Sequence, residues 1–155
     1  MSRTLILAII AGVLFLLLIL LFFFEKLMYY KRKKKIIEKL KEHGTLEKEG
    51  HYYYLIIGER QYQIFFKVMK NNEYLTINSH KMMQIDTNRD KRPLLIKYNY
   101  SGPPFKILIL YPGLTRVKRA INENEVVFIT HEDILYDNFK VVREVEIDDF
   151  IKTIK

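Results

Sequence analysis

Residues 5–24 read LILAIIAGVLFLLLILLFFF, and this stretch decides how the rest of the chain is understood. All twenty residues are apolar, and neither a charge nor a proline interrupts them. As a helix rising ~1.5 Å per residue the stretch is about 30 Å long, the thickness of a bilayer hydrocarbon core. A helix also satisfies every backbone polar group internally, as lipid requires. The apolar run exceeds the ~7–15 residues of a signal-peptide core. Phe22-Phe23-Phe24-Glu25-Lys26 follows it in place of a small-x-small cleavage site. The stretch is therefore predicted to be an uncleaved, single transmembrane helix, residues 5–24 of an N-terminal anchor at 1–24.

Charge around the stretch is lopsided. Arg3 alone precedes it, whereas Lys31, Arg32, Lys33, Lys34 and Lys35 follow. Basic residues flanking a span stay on the cytoplasmic side. The expected topology places the N-terminus outside and residues 25–155 in the cytoplasm, at the cell membrane. An anchored domain exposed on the outside is the alternative. Tyr29 and Tyr30 sit where interfacial aromatics belong. The formal charge of +8 belongs largely to residues 25–42, which hold eight basic and three acidic residues. From Gly44 onward the balance is 17 to 15, so the charge gives no support for nucleic-acid binding. The five adjacent cations are the candidate contacts to anionic lipid headgroups, worth about 1 kcal/mol each near a charged surface.

Beyond the collar, Ile36, Ile37 and Leu40 share one side of a helical stretch, and Gly44 is placed to end it as a C′ residue. Residues 25–44 thus form a juxtamembrane collar and helix, and residues 45–155 an α+β domain. Strands are expected at 51–57, 61–68 and 73–78, joined by short turns into an antiparallel meander. In the second, Tyr62, Ile64, Phe66 and Val68 alternate with Gln61, Gln63 and Lys67. Residues 79–92 are polar and weakly patterned, and 94–98 reads as a strand or as part of a long loop. Residues 106–111 (KILILY) read as a buried strand. Leu114, Val117 and Ile121 then fit one face of a short helix with Arg116, Lys118 and Arg119 opposite, and 125–130 is a further strand. Together these predict a right-handed βαβ unit. Thr130 resembles an N-cap for a short helix to Asp137. Residues 139–147 alternate, and an amphipathic turn follows through Phe150, Ile151 and Ile154. The expected architecture is one small mixed sheet with a few short helices behind the transmembrane helix. The abundance of Lys, Ile, Asn and Tyr without Trp suits an AT-rich bacterial genome.

Catalytic chemistry is sparsely represented. Cysteine is absent, which excludes disulfides, thiolate nucleophiles and cysteine metal sites. His43, His51, His80 and His131 form no HxxxH or HExxH pair. The segment from Asp86 to Asp90 (DTNRD) begins like a calcium loop, but Lys91 and Lys97 stand at its sixth and twelfth positions, so it reads as a polar turn. Asn99-Tyr100-Ser101 matches an N-glycosylation acceptor that a cytoplasmic location makes irrelevant. No phosphate-binding glycine loop or nucleophile elbow occurs.

The order of helix, three-stranded meander and strand–helix–strand, over about residues 36–139, resembles the restriction-endonuclease-like fold, including nuclease-related domains on bacterial membrane anchors. That resemblance implies an acid on the second strand and an acid-x-Lys on the next, holding a divalent metal beside the scissile phosphate. The nearest counterpart is Phe65-Phe66-Lys67, where only the lysine matches; Val68-Met69-Lys70 matches no better. Displaced acids at Glu59 and Glu73, with Lys67, would be needed for a metal-dependent nuclease. No catalytic, cofactor or metal residue is assigned. The chain is read as a membrane-anchored binding domain whose partners are the bilayer, its anionic headgroups and a membrane protein. Ala8 and Gly12 offer a small-residue seam for helix pairing.

Overall fold

The computed structural model describes residues 2–79, 82–98, 101–113, 115–122 and 125–154. His80, Asn99, Tyr100 and Leu114 fall outside these. The architecture is α+β: one long N-terminal helix, two mixed sheets and a short C-terminal helix.

Helix α1 (Arg3–Lys41) is unbroken over 39 residues, so the apolar segment, the collar and the amphipathic stretch are one element. The Ser2 hydroxyl accepts from the Leu5 N–H at 3.3 Å at its start, and Lys39 and Lys41 complement the dipole at its end. The helix ends at Lys41 with Glu42 as C-cap, so Gly44 is not the C′ residue. Gly44 is instead required by close approach: a Cβ there would collide with the Ile56 carbonyl oxygen.

Among the described residues ten strands follow: β1 (Thr45–Glu49), β2 (Tyr52–Ile57), β3 (Arg60–Val68), β4 (Tyr74–Ile77), β5 (Met83–Asp86), β6 (Lys91–Leu94), β7 (Phe105–Tyr111), β8 (Val117–Ala120), β9 (Val126–Phe128) and β10 (Phe139–Arg143). Helix α2 (Ile147–Ile154) closes the chain. The first sheet has the order β1-β2-β3-β7-β10 and the second β6-β5-β4-β8-β9. In the first sheet β7 runs parallel to both neighbours, pairing Tyr62 with Phe105 through Val68 with Tyr111, and Leu108 with Val141.

Three layers result. On one face of the first sheet, Leu55, Tyr62, Ile64, Ile107, Ile109 and Val142 pack against Ile36 and Leu40 of α1 and against Ile147, Phe150, Ile151 and Ile154 of α2. The α2 residues recur at i, i+3, i+4 and i+7, the spacing of a single apolar stripe. On the other face, Phe65, Leu108, Leu110 and Val141 meet Leu75, Ile77, Met83, Ile85 and Val117 of the second sheet. β7 and the middle of β3 are thus buried on both faces, which is why 107–111 has no charged residue.

Several expectations are corrected by this arrangement. The three-stranded meander does not form: β2 and β3 pair, but β4 crosses into the second sheet. On the polar face of β3, Gln63 is fully buried toward the second sheet, whereas Gln61 at the start of the strand is exposed. Residues 79–92, too weakly patterned to be read, contribute β5 and β6. The βαβ unit is absent. Val117–Ala120 is a strand pairing in parallel with β4 (Leu75 to Val117) and antiparallel with β9. A two-turn helix is marginal by itself, and a waiting ladder partner outweighs its 3.6-residue spacing. No helix starts at Thr130; its N–H donates to Asp133 Oδ2 at 2.8 Å in a turn, and a 3₁₀ turn follows at Tyr136–Asn138.

The topology also contains a repetition that the residues do not display. β3 passes to β4, and β7 to β8, by an arc from the first sheet to the second. The two arcs stack, since β3 lies parallel to β7 and β4 to β8. Met69 N donates to Tyr111 O at 2.8 Å and Leu75 N to Arg116 O at 2.9 Å, joining them at either end. In the first arc Glu73 is buried, accepts from Lys70 N at 2.8 Å and pairs with Arg92. At the end of β10, a 3₁₀ turn (Glu144–Glu146) leads into α2. Glu146 accepts there from Arg143 N at 3.0 Å, pairs with the Arg143 guanidinium, and lies 3.6 Å from His131 Nδ1.

Two outcomes follow. Leu110→Ala opens a cavity in the second core and is expected to cost about 2–5 kcal/mol, against under ~0.5 for Val127→Ala on exposed β9, as a denaturant titration would read. Burial pushes the Glu146 carboxyl up, but its hydrogen bonds from Arg143 and the charges of Arg143 and His131 outweigh that and hold it below the ordinary value of 4.5. Its contribution is complete above that value and drains away as the pH falls through the lower folded one. Glu146→Gln is therefore expected to flatten the acid limb of a stability–pH curve.

Candidate functional site

The collar lies in the exposed middle of α1, and helical geometry divides its five cations. At about 100° per residue, Tyr29, Arg32, Lys33, Ile36 and Leu40 fall within one sector, while Lys31, Lys34 and Lys35 fall in the opposite one. The first sector meets the domain. Arg32 Nη1 donates to Glu144 Oε2 at 3.1 Å, and the same oxygen accepts from Gly113 N at 3.3 Å. Gly113 takes a φ of +84°, which frees that N–H to point at the carboxylate. Lys33 Nζ lies 4.7 Å from the centre of the Tyr53 ring and 4.6 Å from that of Phe66. Those rings meet edge to face at 5.2 Å, with Phe66 also edge-on to Tyr111 at 6.5 Å. Lower on the helix, Lys39 Nζ donates to Asp148 at 2.7 Å.

The second sector is turned away from the core, with Lys31 and Lys35 at the border of the domain. Lys31, Lys34 and Lys35 are exposed, and the only ion pair among the described residues that involves them is Lys34 with Glu38, at 3.8 Å. Their charge is available to an anionic surface. Beside them a crevice of about 440 Å³ opens where α1 meets the domain, lined by Phe24, Leu27, Met28, Lys31, Arg32, Lys35 and Glu144. It is apolar at the end nearest the apolar segment and cationic one turn further. On the opposite side of the helix a shallow groove of about 470 Å³ gathers Lys33, Lys67, Lys97 and His51 with Tyr52 and Phe66.

The other sequence candidates do not gather. Glu59 is exposed in the turn before β3 and Lys67 lies near the far end of that strand, ~26 Å away at ~3.3 Å per residue. Glu73 is already paired with Arg92. Phe65, in the place of the family's acid, packs in the second core and edge-on to Tyr98 at 5.3 Å. These residues do not fit a divalent metal. Among the described residues no group of three or more His, Asp or Glu could hold a metal ion. The Arg116, Lys118, Arg119 face is dispersed. Lys118 covers the Tyr74 ring at 4.2 Å, Arg119 bonds the Tyr136 hydroxyl at 3.1 Å, and Arg116 is exposed. The turn at 86–90 is a polar hairpin end, with Thr87 Oγ1 accepting from Asp90 N at 2.9 Å.

Sequence reasoning missed Glu144, Tyr53 and Phe66 as partners of the collar. The only signal available was the position of Arg32 and Lys33 in register with Ile36 and Leu40. No family model matches the chain, and neither a curated protein nor a solved structure resembles it significantly.

The division of the collar is measurable. Arg32→Ala and Lys33→Ala each remove a docking contact and are expected to lower domain stability by about 0.5–1 kcal/mol. Lys34→Ala and Lys35→Ala should leave it within ~0.5 kcal/mol, by the same denaturant titration.

Proposed function

We propose that the chain is a single-pass membrane protein whose α+β domain is held at the cytoplasmic face by α1 and binds a partner there rather than catalysing a reaction. One observation carries this reading. The most apolar window of α1 has a mean hydropathy of 3.4, and none of it is buried by the rest of the protein. A core helix of a soluble protein would be covered. Twenty bare apolar side chains have instead the length and composition that a hydrocarbon layer accepts.

Continuity of α1 supports retention of the segment. Residues 29–40 of the same helix enter the first core, so the apolar part is joined to the domain by helical hydrogen bonds and not by a flexible cleavage site. The outward cations Lys31, Lys34 and Lys35 supply both the topogenic charge and an attraction for anionic headgroups. Anchoring confines the domain to a thin layer, which raises its effective concentration for membrane-bound partners. Ala8 and Gly12 lie one turn apart on the exposed segment, where a second span could approach closely.

The absence of cysteine makes the test clean, because any introduced thiol is unique. The protein is expected to resist alkaline carbonate extraction and to yield to detergent. With Ser2→Cys, a membrane-impermeant thiol reagent should label intact cells; with Glu59→Cys, it should label only after lysis. Labelling of the Glu59→Cys protein in intact cells reverses the orientation. Recovery of the full-length chain in the carbonate wash removes the anchor.

A further inference from the structure

The domain is not tethered loosely to α1 but docked on it, and this sets which end of the sandwich looks toward the apolar segment. Arg32, eight residues or about 12 Å beyond Phe24, is bonded to Glu144 and through it to Gly113. Lys39, a further ~10 Å along the axis, is bonded to Asp148 instead. The strands agree with these two contacts. β3, β7 and β10 are mutually parallel and all end at the Arg32 level. The same end therefore carries both arcs, the Glu144–Glu146 turn and, because Tyr74 pairs with Asp86, the β5–β6 turn. The β2–β3 turn with Glu59 lies at the opposite end.

The charge at this end is unbalanced. Lys70 and Arg116 project from the two arcs, and Arg89 and Lys91 from the β5–β6 turn; all four are exposed. Among the described residues none of the four has an ion-pair partner. Arg92 beside them is committed to Glu73, and Glu144 and Glu146 are committed to Arg32 and Arg143. Glu49 and Asp90 are exposed acids at this end, and Glu132 and Asp133, also exposed, lie beside it next to His131, which reaches Glu146. Val145, 55% exposed on the 3₁₀ turn, adds an apolar tip. A headgroup layer adds about 5–7 Å to each side of the hydrocarbon core, so the Arg32 level stands within about one Debye length of its outer edge.

We propose that this arc end is a second membrane-contact surface: Lys70, Arg89, Lys91 and Arg116 rest on anionic phospholipid headgroups and fix the domain in one orientation on the bilayer. The surface is separate from the collar, being built from three connections distant in sequence. It rests on the reading of α1 as an anchor. The opposite end of the domain, with the β2–β3 turn, is left facing away from the membrane for other partners.

The full-length protein, reconstituted into vesicles of phosphatidylcholine alone or with phosphatidylglycerol, tests this with one environment-sensitive fluorophore on Asn71→Cys or on Glu59→Cys. Headgroup-labelled quencher lipids are expected to quench the Asn71 site more strongly than the Glu59 site, with the difference larger in anionic vesicles. Each contacting cation should change the lipid-bound to lipid-free ratio by about fivefold, the factor equivalent to ~1 kcal/mol near a charged surface. Replacing Lys70, Arg89, Lys91 and Arg116 together by Gln should abolish the anionic enhancement without altering the thermal transition. Raising the salt to several hundred millimolar should do the same to the unaltered chain. Equal quenching at both sites, or quenching at Asn71 indifferent to lipid charge and to salt, overturns the proposal while leaving the anchor standing. Failure of the protein to float with either vesicle overturns both.

Discussion

The structure depends on one helix that is bare along its first half and packed into a core near its end. Residues 5–24 of α1 carry only apolar side chains, and the most apolar window of the helix is covered by nothing in the protein. More than three turns later the same helix inserts Ile36 and Leu40, each 1% exposed, into the core of a folded domain. The burial of these two side chains, together with Tyr29 and the stem of Lys33, ties the domain to the axis of the helix. Each fully buried aliphatic side chain is worth about 1.5–3 kcal/mol relative to exposure, far more than any of the exposed ion pairs around it. The ion pairs at Glu144 and Asp148 then fix rotation and height, not strength.

From that constraint the layers follow. The first sheet must be apolar toward the helices and apolar again toward the second sheet, so its central strands are buried on both faces. β7 meets the demand with Ile107, Ile109 and Tyr111 on one side and Leu108 and Leu110 on the other. Among the described residues no helix covers the outer face of the second sheet. Its strands are short, its edge β9 is exposed at Val126, Val127 and Phe128, and its stability derives from the inner face alone. The parallel arcs that link the sheets bring residues distant in sequence to one end of the domain. In this way Lys70, Arg89, Lys91 and Arg116 come to share a surface.

The collar shows how position on a helix divides similar residues between tasks. Five adjacent cations look equivalent as a string, yet 100° per residue sends Lys31, Lys34 and Lys35 outward and turns Arg32 and Lys33 inward. The inward pair differs further in chemistry. The planar guanidinium of Arg32 serves a carboxylate, while the ammonium of Lys33 sits over two ring faces, a use of the aromatic quadrupole. The set of cations left unpaired with the domain is smaller than the string suggests and borders an apolar crevice.

Residues alone determined the elements whose signals are local. Twenty apolar residues in a row, the strands at 52–57, 60–68 and 105–111 and the α2 stripe could be read because hydrophobic period and length belong to the segment itself. Only the tertiary structure decided what depends on a partner elsewhere in the chain. Val117 has helical spacing but lies in a strand because β4 offers a ladder. Residues 83–86 and 91–94 have weak patterns but pair with one another and with β4. Gln63 reads as solvated but is covered by a second sheet that no local pattern announces. The same reason hid the distribution of charge over the surface: backbone pairing between distant strands sets which cations become neighbours, and that energy is recorded in no single stretch of sequence.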